Sequence, residues 1–77
     1  MVTPEDIKTW ISQGLVESEV SVEGDGQHFE ARIISAAFAG MSLIQRHQLV
    51  YGVLGDKMQS RIHALSMKTL TPEEANK

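Results

Sequence analysis

Between two segments that alternate like strands lies one that repeats like a helix, and this order narrows the folds open to the chain. The central stretch, Phe38 to Leu54, reads FAGMSLIQRHQLVYGVL. Ile44, His47, Val50, Tyr51, Leu54 and Met58 recur at spacings of three and four, the pattern of a helix with one face on a core. That phase leaves Gln45 and Arg46 on the opposite, wet side. Ser42 stands where an N-cap belongs, with a hydroxyl able to accept from a free amide of the first turn. A helix between two strands of one sheet acts as a crossover, which is right-handed and leaves the strands it joins parallel.

The flanking segments fill out the order. Thr3-Pro4-Glu5-Asp6 is a helix start: a capping hydroxyl, a proline suited to the first position, and acids at the positive end of the helix dipole. Ile7, Trp10, Ile11 and Leu15 form its apolar stripe, Trp10 at the core or its edge, and Gly14 is its expected stop. Val20 and Val22 alternate with Ser21 and Glu23, and Gly24-Asp25-Gly26 turns into a second strand that starts near His28. There Phe29, Ala31 and Ile33 share one face while Glu30 and Arg32 take the other. Phe38, in a connector of small residues, is expected to plug the core. Gly52 and Gly55 are expected to loosen or bend the second half of the central helix. A last strand runs from Ala64 to Leu70 with Leu65 and Met67 inward, and Thr71-Pro72-Glu73-Glu74 opens a short terminal helix expected to fray. The order α-β-β-α-β predicts a two-layer α+β fold, a three-stranded mixed sheet with helices on one face.

Composition excludes several classes. Seventy-seven residues make one domain, 1–77, with one small core and no room for a large cleft. There is no cysteine, hence no disulfide framework and no thiolate metal site within the chain. No apolar run nears the roughly 20 residues of a membrane span, and the N-terminus lacks the pattern of a signal peptide. The expectation is a cytoplasmic protein with no membrane contact. The net charge of −3 is uneven: residues 1–40 carry two cations against seven acids, and residues 41–77 five against three. The basic excess of the second half is an ordinary solvated surface or a modest patch for an acidic partner or phosphate backbone.

The inferred topology makes one chemical prediction. His28 opens the second strand and His63 just precedes the third. If those strands are parallel neighbours, ~4.8 Å apart, both imidazoles emerge at one end of the sheet and can serve one small site. Taken alone, His63 reads as a strand-end surface residue and His28 as a loop residue. His47, among the apolar positions of the helix, reads as a packed, hydrogen-bonded histidine at the core edge, and Tyr51 as packing.

The runs FAGMSLIQRHQLVYGVL, GDGQHFEARI and RIHALSMKTLTPEE together resemble the BolA-like family. The motifs are Phe38-x-Gly40-x-Ser42, Arg46-His47-Gln48-x-Val50-Tyr51 and Ile62-His63-Ala64, and the similarity extends from the first helix to Glu74. The resemblance implies a fold like the class II KH domain, in agreement with the order read above. It further implies a non-enzymatic adaptor that pairs with a monothiol glutaredoxin to share a two-iron two-sulfur cluster, in iron–sulfur trafficking or iron and stress sensing. Family members place a histidine where His63 stands and a second ligand, His or Cys, in the loop between the first two strands. His28 would make this chain the histidine-loop subtype. The chemistry is consistent: histidine replaces cysteine on one iron of Rieske centres. A chain without cysteine needs a partner's thiolate and glutathione to supply the sulfur ligands. Only neutral imidazole coordinates, so such a site is acid-sensitive. By itself the chain is expected to be a monomer or weak homodimer.

The family is also associated with transcription regulation, and KH-like folds bind nucleic acid. Gly52-Val53-Leu54-Gly55 formally matches the G-x-x-G loop of KH domains. It sits in helix-patterned sequence with apolar middle residues and no flanking lysine cluster. Arg46, Lys57, Arg61 and Lys68 are the candidate phosphate contacts for DNA. Catalysis is not expected, since no nucleophile and base have a recognisable spacing. Asp25 near His28 resembles an acid–base pair, but an aspartate among glycines belongs to a turn.

Overall fold

The computed structural model describes residues 1–77. Strand β1 (Ser18–Gly24) and strand β2 (His28–Ser35) pair antiparallel, with Val20 opposite Ile33 and Val22 opposite Ala31. Strand β3 (Ala64–Leu70) lies parallel to β2, with Phe29 opposite Leu65 and Ala31 opposite Met67, so β2 is the centre of a β1-β2-β3 sheet. Helix α2 (Leu43–Leu54) makes the crossover between the parallel strands, followed by one turn, α3 (Lys57–Ser60).

The period-two pattern decides which side of the sheet is covered. Val20, Phe29, Ala31 and Ile33 point to the helices and are buried with Ile7, Ile11 and Leu15 from helix α1 (Pro4–Gly14) and its exit, and with Val50 and Leu54 of α2. Phe38, in a 3-10 turn spanning Ala36–Phe38, and Ile62 close the two ends of this core. Trp10 is half-buried against it, and Leu65 and Met67 pack on it as expected. Thr69 continues their inward face and is buried as well.

Three helix starts use the same device. Thr3 and Asp6, Ser42 and Gln45, and Thr71 and Glu74 each form a capping box, the hydroxyl accepting from the third-position amide while that residue's side chain accepts from the cap amide. Each satisfies two amides that the helix itself leaves unpaired, and a capping residue contributes typically about 1 kcal/mol.

Four local expectations need correction. The inward face of α2 carries Val50 and Leu54 as expected, but Ile44 is 70% exposed and Tyr51 41% exposed. Arg46, expected on the wet side, is instead turned inward and half-buried. The two glycines do not bend α2: it runs unbroken through Gly52, and Gly55 ends it with φ +59°. The last helix, α4 (Pro72–Ala75), is capped by Thr71 and held by an ion pair from Glu74 to Arg46, so this turn is anchored rather than frayed. Gly14 does end α1, though without a left-handed φ. A Cβ there would run into the Cγ1 of Val53, so glycine is what lets α1 and α2 close together.

Candidate functional site

The turn between β1 and β2 is built around Asp25. Its Oδ1 accepts from the backbone N–H of both Gln27 and His28, each at 2.9 Å, and Gly26 supplies φ +101°. These bonds, first from His28 and then from Gln27, hold the Asp25 carboxyl below the usual carboxylate range, because they favour the charged form. Asp25 is therefore a turn residue, and its effect is to fix the backbone from which His28 projects.

The parallel register then brings the second histidine alongside. His28 is opposite Ala64, and the Ala64 N–H donates to the Gln27 carbonyl at 3.1 Å. His63 is one residue before Ala64, which places the two histidine backbones on the order of 6 Å apart, one inter-strand step and one residue rise. Both side chains are exposed, and neither ring is tied up in an internal hydrogen bond or ion pair. His28 lies in a shallow groove of about 320 Å³ with Glu23, Asp25 and Glu30. No three His, Cys, Asp or Glu side chains converge as a metal site. Two imidazoles suit half the coordination of a tetrahedral iron, so any cluster held here takes its other ligands from outside the chain.

The third histidine is elsewhere. His47 is half-buried on α2, and its Nε2 is enclosed without a hydrogen-bond partner. It is a packed residue, as expected, but that nitrogen is not hydrogen-bonded. The buried Thr69 Oγ1 is likewise unpartnered.

The four cations considered for phosphate do not form one surface. Arg46 donates through Nε to the Met41 carbonyl at 3.1 Å and through Nη1 to the Thr69 carbonyl at 3.1 Å. Its Nη1 and Nη2 also bind Glu74 Oε1 and Oε2 at 2.7 and 3.2 Å, with the guanidinium 5.9 Å from the Phe38 ring centre. A guanidinium so occupied is a structural clamp and not a free phosphate contact. Its hydrogen bond, followed by that of the Thr71 amide, holds the Glu74 carboxyl down to about 2. Lys57 lies over the Trp10 ring at 5.3 Å on the helical side, and Arg61 lines a shallow groove with Asp6 and Trp10. Lys68 is on the open face of the sheet beside Arg32, a neighbour that the sequence did not single out. The Gly52–Gly55 segment is no loop: Val53 packs under Gly14 and Leu54 is buried.

These features define a small α+β protein with a mixed three-stranded sheet and, at one sheet end, a pair of exposed histidines that does not complete a metal site. The chain belongs to the BolA family, whose model, described as BolA-like protein, matches residues 12–74. A solved structure of a bolA protein homologue from Coxiella burnetii is 56% identical, covers 100% of both chains and superposes with a TM-score of 0.93. The acid stress protein IbaG of Escherichia coli (strain K12) is 40% identical over 70 residues, 90% of this chain and 83% of that protein. The DNA-binding transcriptional regulator BolA of Haemophilus influenzae is 41% identical over 54 residues, 70% of this chain and 52% of that protein. SufE-like protein 1 of Arabidopsis thaliana is 49% identical over 55 residues, but the chain spans only 15% of its length. No helix is long and apolar enough to cross a membrane.

Proposed function

We propose that this chain is a non-enzymatic adaptor of the histidine-loop subtype. It pairs with a monothiol glutaredoxin and contributes His63 and His28 to a shared two-iron two-sulfur cluster. The observation that carries the reading is the placement of these two histidines at one end of adjacent parallel strands, His28 opening β2 and His63 one residue before β3, both exposed and both free of internal partners. The two backbones are close at one sheet end, and the chain offers no third such side chain there. The partner's active-site cysteine and glutathione supply the sulfur ligands to the other iron.

Within this division, the chain's own task is geometric. The β2–β3 register sets the backbone of Ala64, next to His63, against that of His28, and Asp25 pins the backbone at His28. Each imidazole donates a lone pair only when neutral, so cluster retention is coupled to pH. When bound, the cluster supplies the exchangeable iron–sulfur unit that such a pair can deliver or sense. A thiolate-bearing partner persists in a reducing compartment, in keeping with a cytoplasmic setting, and a stress role accords with the relative named for acid stress.

Anaerobic reconstitution with a monothiol glutaredoxin, glutathione, iron and sulfide tests the reading. Wild type should give a coloured heterodimer whose absorption and circular dichroism differ from those of the glutaredoxin alone. His63→Ala should abolish or alter that spectrum, and His28→Ala should change the second ligand. A heterodimer spectrum indifferent to both substitutions rejects the assignment.

A second reading, a DNA-binding regulator, is favoured by the name of the Haemophilus relative. With Arg46 engaged by Glu74, it rests on Lys57, Arg61 and Lys68. Its signature is salt-dependent DNA binding that disappears in Lys57→Gln/Arg61→Gln. Retention of DNA by that double variant counts against it.

A further inference from the structure

The helices cover one side of the sheet, and on the uncovered side the outward residues form rows across the strands. Glu23 of β1 lies opposite Glu30 of β2, which is paired with Ser66 of β3. In the next row Ser21 lies opposite Arg32, which is paired with Lys68. All six side chains are exposed. The molecule's one ion pair is Arg46 with Glu74, so no carboxylate engages Arg32 or Lys68 and no cation engages Glu23 or Glu30. Like charges directly opposite across a sheet are destabilising. This face holds two such pairs, of opposite sign and in successive rows, along one shallow groove of about 540 Å³.

The rows continue from the histidine end. His28 shares a groove with Glu23, Asp25 and Glu30, so it opens to the uncovered side. Arg32 is four residues farther along β2, about 13 Å from His28. A standard interface covers roughly 800 Å² per partner, a disc reaching about 16 Å from its centre. A partner centred on His28 therefore covers both charged rows. Beyond them α4 bounds the face, where Pro72 and Ala75 border a groove with Arg32.

We propose that the protein completing the cluster docks across this open face, with a cationic surface over Glu23 and Glu30 and an acidic one over Arg32 and Lys68. This docking rests on the adaptor reading and adds to it the surface used and the charge pattern of the partner. An apolar or singly charged surface would strip water from unpaired charges without compensation, which is costly. Two stripes of opposite sign pair all four charges. Turned end for end, the same partner brings like charges together, so the rows fix orientation as well as identity. A nucleic acid, anionic throughout, matches the Arg32–Lys68 row and is repelled by the Glu23–Glu30 row that lies nearer the histidines.

Anaerobic titration of the full chain into cluster-loaded monothiol glutaredoxin, followed by visible circular dichroism, tests this. Wild type is compared with Glu23→Lys/Glu30→Lys and Arg32→Glu/Lys68→Glu, all at exposed positions. Both double variants should need on the order of tenfold more protein for half-saturation. Both should still reach the heterodimer spectrum, since His28 and His63 are intact. The two variants change net charge in opposite directions, so a bulk charge effect would weaken one and strengthen the other. That result overturns the proposal, as does either variant saturating at the wild-type concentration. If a reversal unfolds the chain, Glu23→Gln/Glu30→Gln and Arg32→Gln/Lys68→Gln replace it, and each should weaken association; wild-type affinity in both overturns the proposal. Docking is read from the concentration required, whereas the ligand assignment is read from the spectrum at saturation in His63→Ala and His28→Ala. Unaltered affinity in the charge variants with a histidine-dependent spectrum removes the docking face alone, and a wild type that gives no heterodimer removes both.

Discussion

Replacing Gly14 by alanine sets helix propensity against packing. In a helix interior alanine is favoured over glycine by roughly 1 kcal/mol, and Gly14 is the last residue of α1, so at most that much is gained. A Cβ at position 14 falls well inside contact distance of Val53 Cγ1, 2.9 Å from Cγ2 and 3.1 Å from Cβ. Both methyls of Val53 are in the way, and a valine in a helix has essentially one χ1 state available, so the two helices must separate. Overpacking of this kind costs about 1–3 kcal/mol. The expected net loss is about 1–2 kcal/mol, with each kcal/mol lowering Tm by ~4–8 °C in a chain of this size. In a Val53→Ala background the two methyls are gone and only the Cβ of residue 53 remains close, at 3.1 Å, so Gly14→Ala should cost clearly less than in the wild type and come near neutral. Urea denaturation of the four proteins of this cycle provides the assay. Equal effects of Gly14→Ala in both backgrounds would show that the α1–α2 contact does not explain the glycine.

Phe38→Ala empties the fully buried end of the core and should cost about 3–5 kcal/mol, read by the same denaturation; a loss under about 1 kcal/mol contradicts the burial. The Glu74 carboxyl, held near 2 against its ordinary 4.5, has a folded value below its unfolded one. The stability it adds is therefore full above the ordinary value and is lost as pH falls toward about 2. An NMR titration of the Glu74 carboxyl should show that low midpoint in the wild type and its return toward the ordinary value in Arg46→Met. Gly55→Ala forces an alanine into φ +59°, a conformation costing roughly 1–3 kcal/mol, whereas Gly52→Ala meets open space and should stabilise α2 by up to about 1 kcal/mol.

Much of this arrangement is legible in the sequence because it rests on local rules. The alternation at Val20–Val22 and Phe29–Ile33 specifies the strands, the three capping boxes mark helix starts, and one helix between strands dictates the parallel pair. That pair is what brings His28 and His63 together across 35 residues of sequence. The phase of α2 was not legible. Leu43, Ile44, Leu49, Val50, Tyr51, Val53 and Leu54 spread apolar side chains around most of the helix, so spacing alone selects no unique inward stripe. Arg46 is hydrophilic by composition, yet its partners are the Thr69 carbonyl and Glu74, 23 and 28 residues away. No local window contains those contacts, and only the folded chain shows that the arginine faces inward.

The most direct test of the adaptor reading is the origin of the cluster's nitrogen ligands. This chain, labelled with 15N at histidine alone, would be reconstituted with unlabelled glutaredoxin and glutathione, and the reduced cluster examined by pulsed electron paramagnetic resonance. The account predicts couplings from two histidine nitrogens that carry the label, one lost in His63→Ala and the other in His28→Ala. A cluster whose spectrum contains no nitrogen coupling from this chain would contradict it.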